Sequence, residues 1–169
     1  MRPFLSGEVD APAVPDGLML APMLRRVGGL FIDQVVVLVP VFAGALLLGY
    51  QPGDRITNTA LTVFSLAATV TAFVYETVMV ALIGRTLGKI AVGTRVVRAI
   101  DGDYVGWTGA AMRGLVPVAF GAIPQVGFGL GIAVYAWAFF NPLRQGIHDK
   151  AAATLVILHR APAPAPAEP

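Results

Sequence analysis

The chain has no cysteine among its 169 residues, so disulfides, thiol nucleophiles and cysteine metal sites are excluded. Charge is also scarce: Asp, Glu, Lys and Arg make up 13% of the sequence. A soluble domain usually carries about 25%. Only two histidines are present, too few for a metal centre built on imidazole, and no metal or cofactor is expected. What fills the space is apolar: 56% of residues are hydrophobic, and the mean hydropathy is +0.73. The apolar residues fall in runs long enough to cross a bilayer, which takes about 20 residues as a helix. The composition therefore predicts an all-α membrane protein whose first partner is the lipid bilayer.

The first run is 27–50, preceded by Arg25 and Arg26 and interrupted by Asp33 and Gln34. Breakers at Gln51–Arg55 predict a turn. The second run is 56–83, with Glu76 its one charge. Together they read as a transmembrane helical hairpin. Residues 86–92 read as a short interfacial helix, with Lys89 reaching toward headgroups. Two β-like segments follow at 94–99 and 154–159, and Tyr104-Val105 reads as a second short strand after the Asp101-Gly102 turn. The third apolar region, 107–141, is either one long kinked span or a hairpin of two short helices meeting near Pro124.

Charge placement chooses between these. With Arg25 and Arg26 in the cytoplasm and a hairpin at 107–141, Arg55 alone of the 12 Lys and Arg lies outside. Four spans and a cytoplasmic amino terminus are expected. Residues 1–23 read as a flexible tail, 24–159 as the membrane domain and 160–169 as a disordered Ala-Pro tail.

The intramembrane charges are the candidate site. Arg26 and Asp33 stand two helical turns apart and share a face. An Asp at mid-helix costs about 2.5–3.5 kcal/mol to insert, so it needs a partner or a proton. Glu76 lies at a similar depth on the second helix, and Arg113 can reach the same level. Two acids at one depth can share a proton, bind a cation or each meet an arginine. The alternative is a polar staple that only packs helices. Arg25 reads as a headgroup anchor, and Trp107, Tyr135 and Trp137 as an interfacial belt. His148-Asp149 has no nucleophile in its pattern and reads as a loop-holding pair, so no enzyme is expected. The segment 84–89 lacks P-loop spacing, and no nucleic-acid footprint is present.

Three blocks carry a resemblance. They are Arg25-Arg-Val-Gly-Gly-Leu-Phe-Ile-Asp33, then 84–97 with Gly88 and Lys89 followed by Asp101-Gly102, and 144–157 with Arg144, His148 and Asp149. The chain resembles the RDD family of small bacterial membrane proteins, named for one arginine and two aspartates. The resemblance assigns the arginine to Arg26, or to its neighbour Arg25, and the aspartates to Asp33 and Asp149. Thr94 and Ala153 depart from the commoner leucine and glycine. The resemblance implies a bacterial plasma-membrane location and a possible role in ion or solute transport, with some relatives linked to sodium–proton exchange. The competing expectation is an accessory or assembly subunit of a larger complex. A homo-oligomer is expected, because four short spans enclose little cavity. The loop holding Asp149 is expected to dock on Arg25 or Arg26.

Overall fold

The computed structural model describes residues 14–159, apart from positions 52, 54, 56 and 122–126. Two long helices open the chain, α1 (Met23–Leu47) and α2 (Asn58–Ile83). Both are long and apolar enough to cross a membrane. Their apolar side chains point outward: Leu24 is 84% exposed and Leu47 89%. A soluble protein does not leave such faces uncovered, whereas a bilayer covers them. Thr57 starts α2 by accepting the Ala60 N–H at 3.1 Å. Gly84 ends it in the left-handed conformation, φ 70°.

The short helix α3 (Leu87–Ala91) follows, capped by the Thr86 hydroxyl, and leads into β1 (Thr94–Arg98). The third apolar region forms two helices, α4 (Gly106–Gly121) and α5 (Gly127–Ala136), packed on each other. The Pro124 junction lies outside the described residues. A 3-10 turn at Trp137–Phe139 precedes α6 (Ile147–Ala151) and β2 (Thr154–Leu158). The strands pair antiparallel, with Val96 opposite Val156. Val96 and Val156 join Ala21, Val80, Ala81, Val105 and Ala110 in the apolar core beneath the helices.

Two expectations change. Tyr104-Val105 forms no strand, because β1 takes β2 as its partner and Val105 turns into the core. Residues 14–22 do not behave as a tail. Leu20 bridges to Ile157, Ala21 N–H donates to the Val156 carbonyl at 3.0 Å, and Leu158 N–H donates to Met19 at 2.9 Å. An open strand edge carries unpaired backbone groups, and this segment satisfies them.

Ala153, the departure from glycine noted above, sits at φ 49°. A Cβ there costs roughly 1–2 kcal/mol, so Ala153→Gly is expected to raise stability by about 1 kcal/mol after the entropy of glycine is offset. Unfolding the purified protein in detergent measures this; an unchanged or lowered midpoint counts against left-handed strain at this position.

Candidate functional site

The site is an alternating row of charges where α1, α2, α3, α4 and α6 meet. It starts at Asp33 on α1. Asp33 Oδ1 accepts hydrogen bonds from the Tyr75 hydroxyl and the Gly88 N–H, both at 2.8 Å, and Oδ2 accepts from the Thr86 hydroxyl at 2.6 Å. Close approach makes this possible. Gly29 of α1 faces Gly88 of α3, where a Cβ would stand 2.0 Å from the Gly29 carbonyl oxygen. Tyr75 is itself oriented by the Leu87 N–H, which donates to its oxygen at 2.8 Å.

Lys89 comes next. Its Nζ lies 3.7 Å from Asp33 Oδ2 and 3.9 Å from Glu76 Oε1, and it donates to the Thr86 hydroxyl at 3.2 Å. The expected reach toward headgroups is therefore corrected. Two carboxylates draw the ammonium inward, and α3 presents it to them. Asp33 and Glu76 do share a level, but they meet through Lys89 rather than directly.

Glu76 then accepts from Arg113 Nε at 3.0 Å. Arg113 is buried, and its Nη1 donates to Asp149 Oδ1 and, at 3.3 Å, to the Thr154 hydroxyl. Asp149 is fully buried. Its Oδ2 accepts from Arg26 Nη2 and from the Gly146 N–H at 3.0 Å. Arg26 also donates to the Arg144 carbonyl. The row thus reads Asp33, Lys89, Glu76, Arg113, Asp149, Arg26, and every charge has an opposite neighbour. Buried charges persist only when paired and hydrogen-bonded in this way.

The remaining candidates sit around this row. Arg25 is exposed and donates to the Val92 carbonyl, so of the adjacent arginines it is Arg26 that meets Asp149. Arg144 donates to the Ala21 carbonyl at 3.1 Å, tying the loop to the start of α1. His148 is buried beside Asp149, with Nε2 3.6 Å from Oδ1. Burial, and then the neighbouring cations Arg113, Arg26 and Lys89, hold its pKa well below the usual imidazole value. It is a neutral spacer at neutral pH. Tyr135 lies over the His148 ring, with centroids 4.5 Å apart, instead of joining an aromatic belt. Trp107 and Trp137 are exposed.

Sequence reasoning missed Tyr75, Thr86 and Thr154. A hydroxyl carries no charge signal, and its role depends on a helix contact that spacing does not reveal.

Above the row is a cavity of about 670 Å³. Arg26, Asp33, Glu76, Lys89 and Arg113 line its charged end, and Val37, Ala68, Ala72 and Ile132 line its apolar walls.

These features describe a small, mostly helical protein with two candidate membrane-spanning helices and a buried charge row. The model of the RDD family matches residues 20–153, and the chain belongs to the RDD family. Comparison with curated proteins and with solved structures returned no match.

Proposed function

We propose that this chain is a multi-pass, non-catalytic membrane carrier for a small cation or solute, working in the bacterial plasma membrane. The observation that carries the reading is the cavity whose charged end contains Asp33, Glu76 and Lys89. A purely structural staple has no use for such a space. Lys89 stands at long ion-pair distance from both acids, so its ammonium holds the position a mobile cation would take. Proton loss from Lys89 and cation arrival then exchange one positive charge for another.

Pairing of β1 with β2 supports four spans with both ends on one side. The chain leaves β1 through α4 and returns through α5 to the same sheet. α4 has 16 residues and rises about 24 Å, against a hydrocarbon core of about 30 Å. With Arg25, Arg26 and the sheet on one face, the positive-inside rule assigns that face to the cytoplasm.

The test is cation-dependent proton flux in vesicles holding the purified full chain. Asp33→Asn is expected to lower flux at least tenfold while the protein remains monodisperse. Flux equal to wild type in the variant, or no flux in the wild type for any small cation, sinks the reading.

A further inference from the structure

The chain is built twice on one plan. Each half runs long or apolar helix, helix, short helix, strand: α1, α2, α3, β1, then α4, α5, α6, β2. Between the second halves of the two units the offset is 60 positions: Leu87–Ala91 answers to Ile147–Ala151, and Thr94–Arg98 to Thr154–Leu158. Backbone conformation follows the same offset. Gly84 and Gly93 have φ 70° and 68°, and Arg144 and Ala153, the non-glycine residues at positive φ among the described residues, have 52° and 49°. The strand register completes the relation, because equivalent residues Val96 and Val156 pair with each other. A local two-fold axis passes through that pair. The charges are reversed between halves. Asp33 on α1 meets Lys89 on α3, whereas Arg113 on α4 meets the equivalent Asp149 on α6.

Under this relation the seam between α2 and α4 is equivalent to the seam between α5 and α1. The two differ. α2 packs along α4, with Gly114 fitted against Phe73 and Thr77. Among the described residues, α1 and α5 have no comparable contact. The cavity reaches that side: Val27 and Leu30 of α1 and Ile132 and Tyr135 of α5 all line it. At its inner end Thr94 is fully buried and its hydroxyl has no hydrogen-bond partner.

From this we infer that the α1–α5 seam is a side opening from the bilayer into the cavity. The ligand class it admits is an amphiphile that dissolves in lipid, with an apolar body along Val27, Leu30 and Ile132 and a polar group at the charged end. The inference deepens the carrier reading by naming a path and a ligand class, yet its test needs no flux.

The absence of native cysteine makes the test direct. Leu30→Cys, or Val27→Cys if the first fails to fold, is made in the full chain and reconstituted. Labelling rates are compared for an alkyl maleimide that partitions into lipid and a sulfonated maleimide that does not, presented on both faces. Thr77→Cys on the α2–α4 seam is the control; Thr77 is 8% exposed and its hydroxyl has no hydrogen-bond partner. The lipid-soluble reagent is expected to label the α1 cysteine at least tenfold faster than the sulfonated one, and at least tenfold faster than it labels the control. Equal or faster labelling by the sulfonated reagent would mean that the cavity opens to water, and would overturn the inference. Labelling of neither α1 cysteine would mean a closed seam, with the same consequence. Loss of flux in Asp33→Asn bears on the carrier reading alone.

Discussion

Asp149→Ala is expected to be the most damaging single substitution of a charged residue in this protein. Asp149 is fully buried and accepts from both Arg26 and Arg113 while capping α6 through the Gly146 N–H. Removing it takes from Arg26 its carboxylate partner and leaves Arg113 with Glu76 alone. Breaking one buried pair costs about 3–5 kcal/mol, because the surviving charge is left uncompensated. Both arginines lose a contact here, so the effect should reach the upper end of that range, comparable to the lower end of the usual stability margin of about 5–15 kcal/mol. The measurable outcome is loss of monodisperse protein after detergent extraction, with wild-type yield as the reference. Asp149→Asn retains an oxygen for the Gly146 N–H and should lose less. Arg26→Gln should also lose less, since Arg113 still neutralises Asp149. The double variant Arg26→Gln with Asp149→Asn should be more stable than the sum of its parts, the sign of direct coupling. Strict additivity would mean that the pair does not hold the α6 loop onto α1.

How much of this was legible beforehand follows from the kind of signal each residue carries. The spans of α1 and α2 are legible because hydropathy needs no tertiary information. The antiparallel strand pair is legible from β-branched composition together with charge bias. Asp149 meeting an arginine of α1 follows from the family resemblance, which singled out Arg26 and Asp149, and the structure joins them. Lys89 was misread for a physical reason. A lysine at an interface normally extends toward water. Its direction here is fixed by the Gly29–Gly88 contact, which rolls α3 against α1 and aims the ammonium inward. The repeated plan leaves little trace in the sequence. Across the aligned second halves only Ala91/Ala151, Thr94/Thr154 and Val96/Val156 are identical among the helix and strand residues, and Lys89 is answered by Asp149 of opposite sign. Backbone conformation preserved the relation where side chains did not. The row is neutral overall because each half is: Arg26 and Lys89 offset Asp33 and Glu76 in the first, and Arg113 offsets Asp149 in the second.

Gly88→Ala carries the second large expectation, and it separates close packing from charge. A Cβ at this position would stand 2.0 Å from the Gly29 carbonyl oxygen and 2.7 Å from Asp33 Cγ. Neither neighbour can yield easily, since one is helix backbone and the other is held by three donors. α3 must move away from α1. Overpacking of this kind costs about 1–3 kcal/mol. The movement also stretches the Gly88 N–H and Thr86 hydroxyl bonds to Asp33, and a hydrogen bond to a charged group contributes about 1.5–3 kcal/mol. A combined loss of roughly 3–5 kcal/mol follows. Alanine is the better helix former by about 1 kcal/mol, so propensity alone predicts the opposite sign. Gly44→Ala supplies the comparison, because a Cβ there meets nothing within 4 Å and should leave stability unchanged or slightly raised. Unfolding midpoints of both variants in one detergent decide the matter. If Gly88→Ala is as stable as Gly44→Ala, α3 does not depend on backbone contact with α1. Lys89 would then need another explanation for its inward position, and the charge row would lose the contact that aligns its first two members.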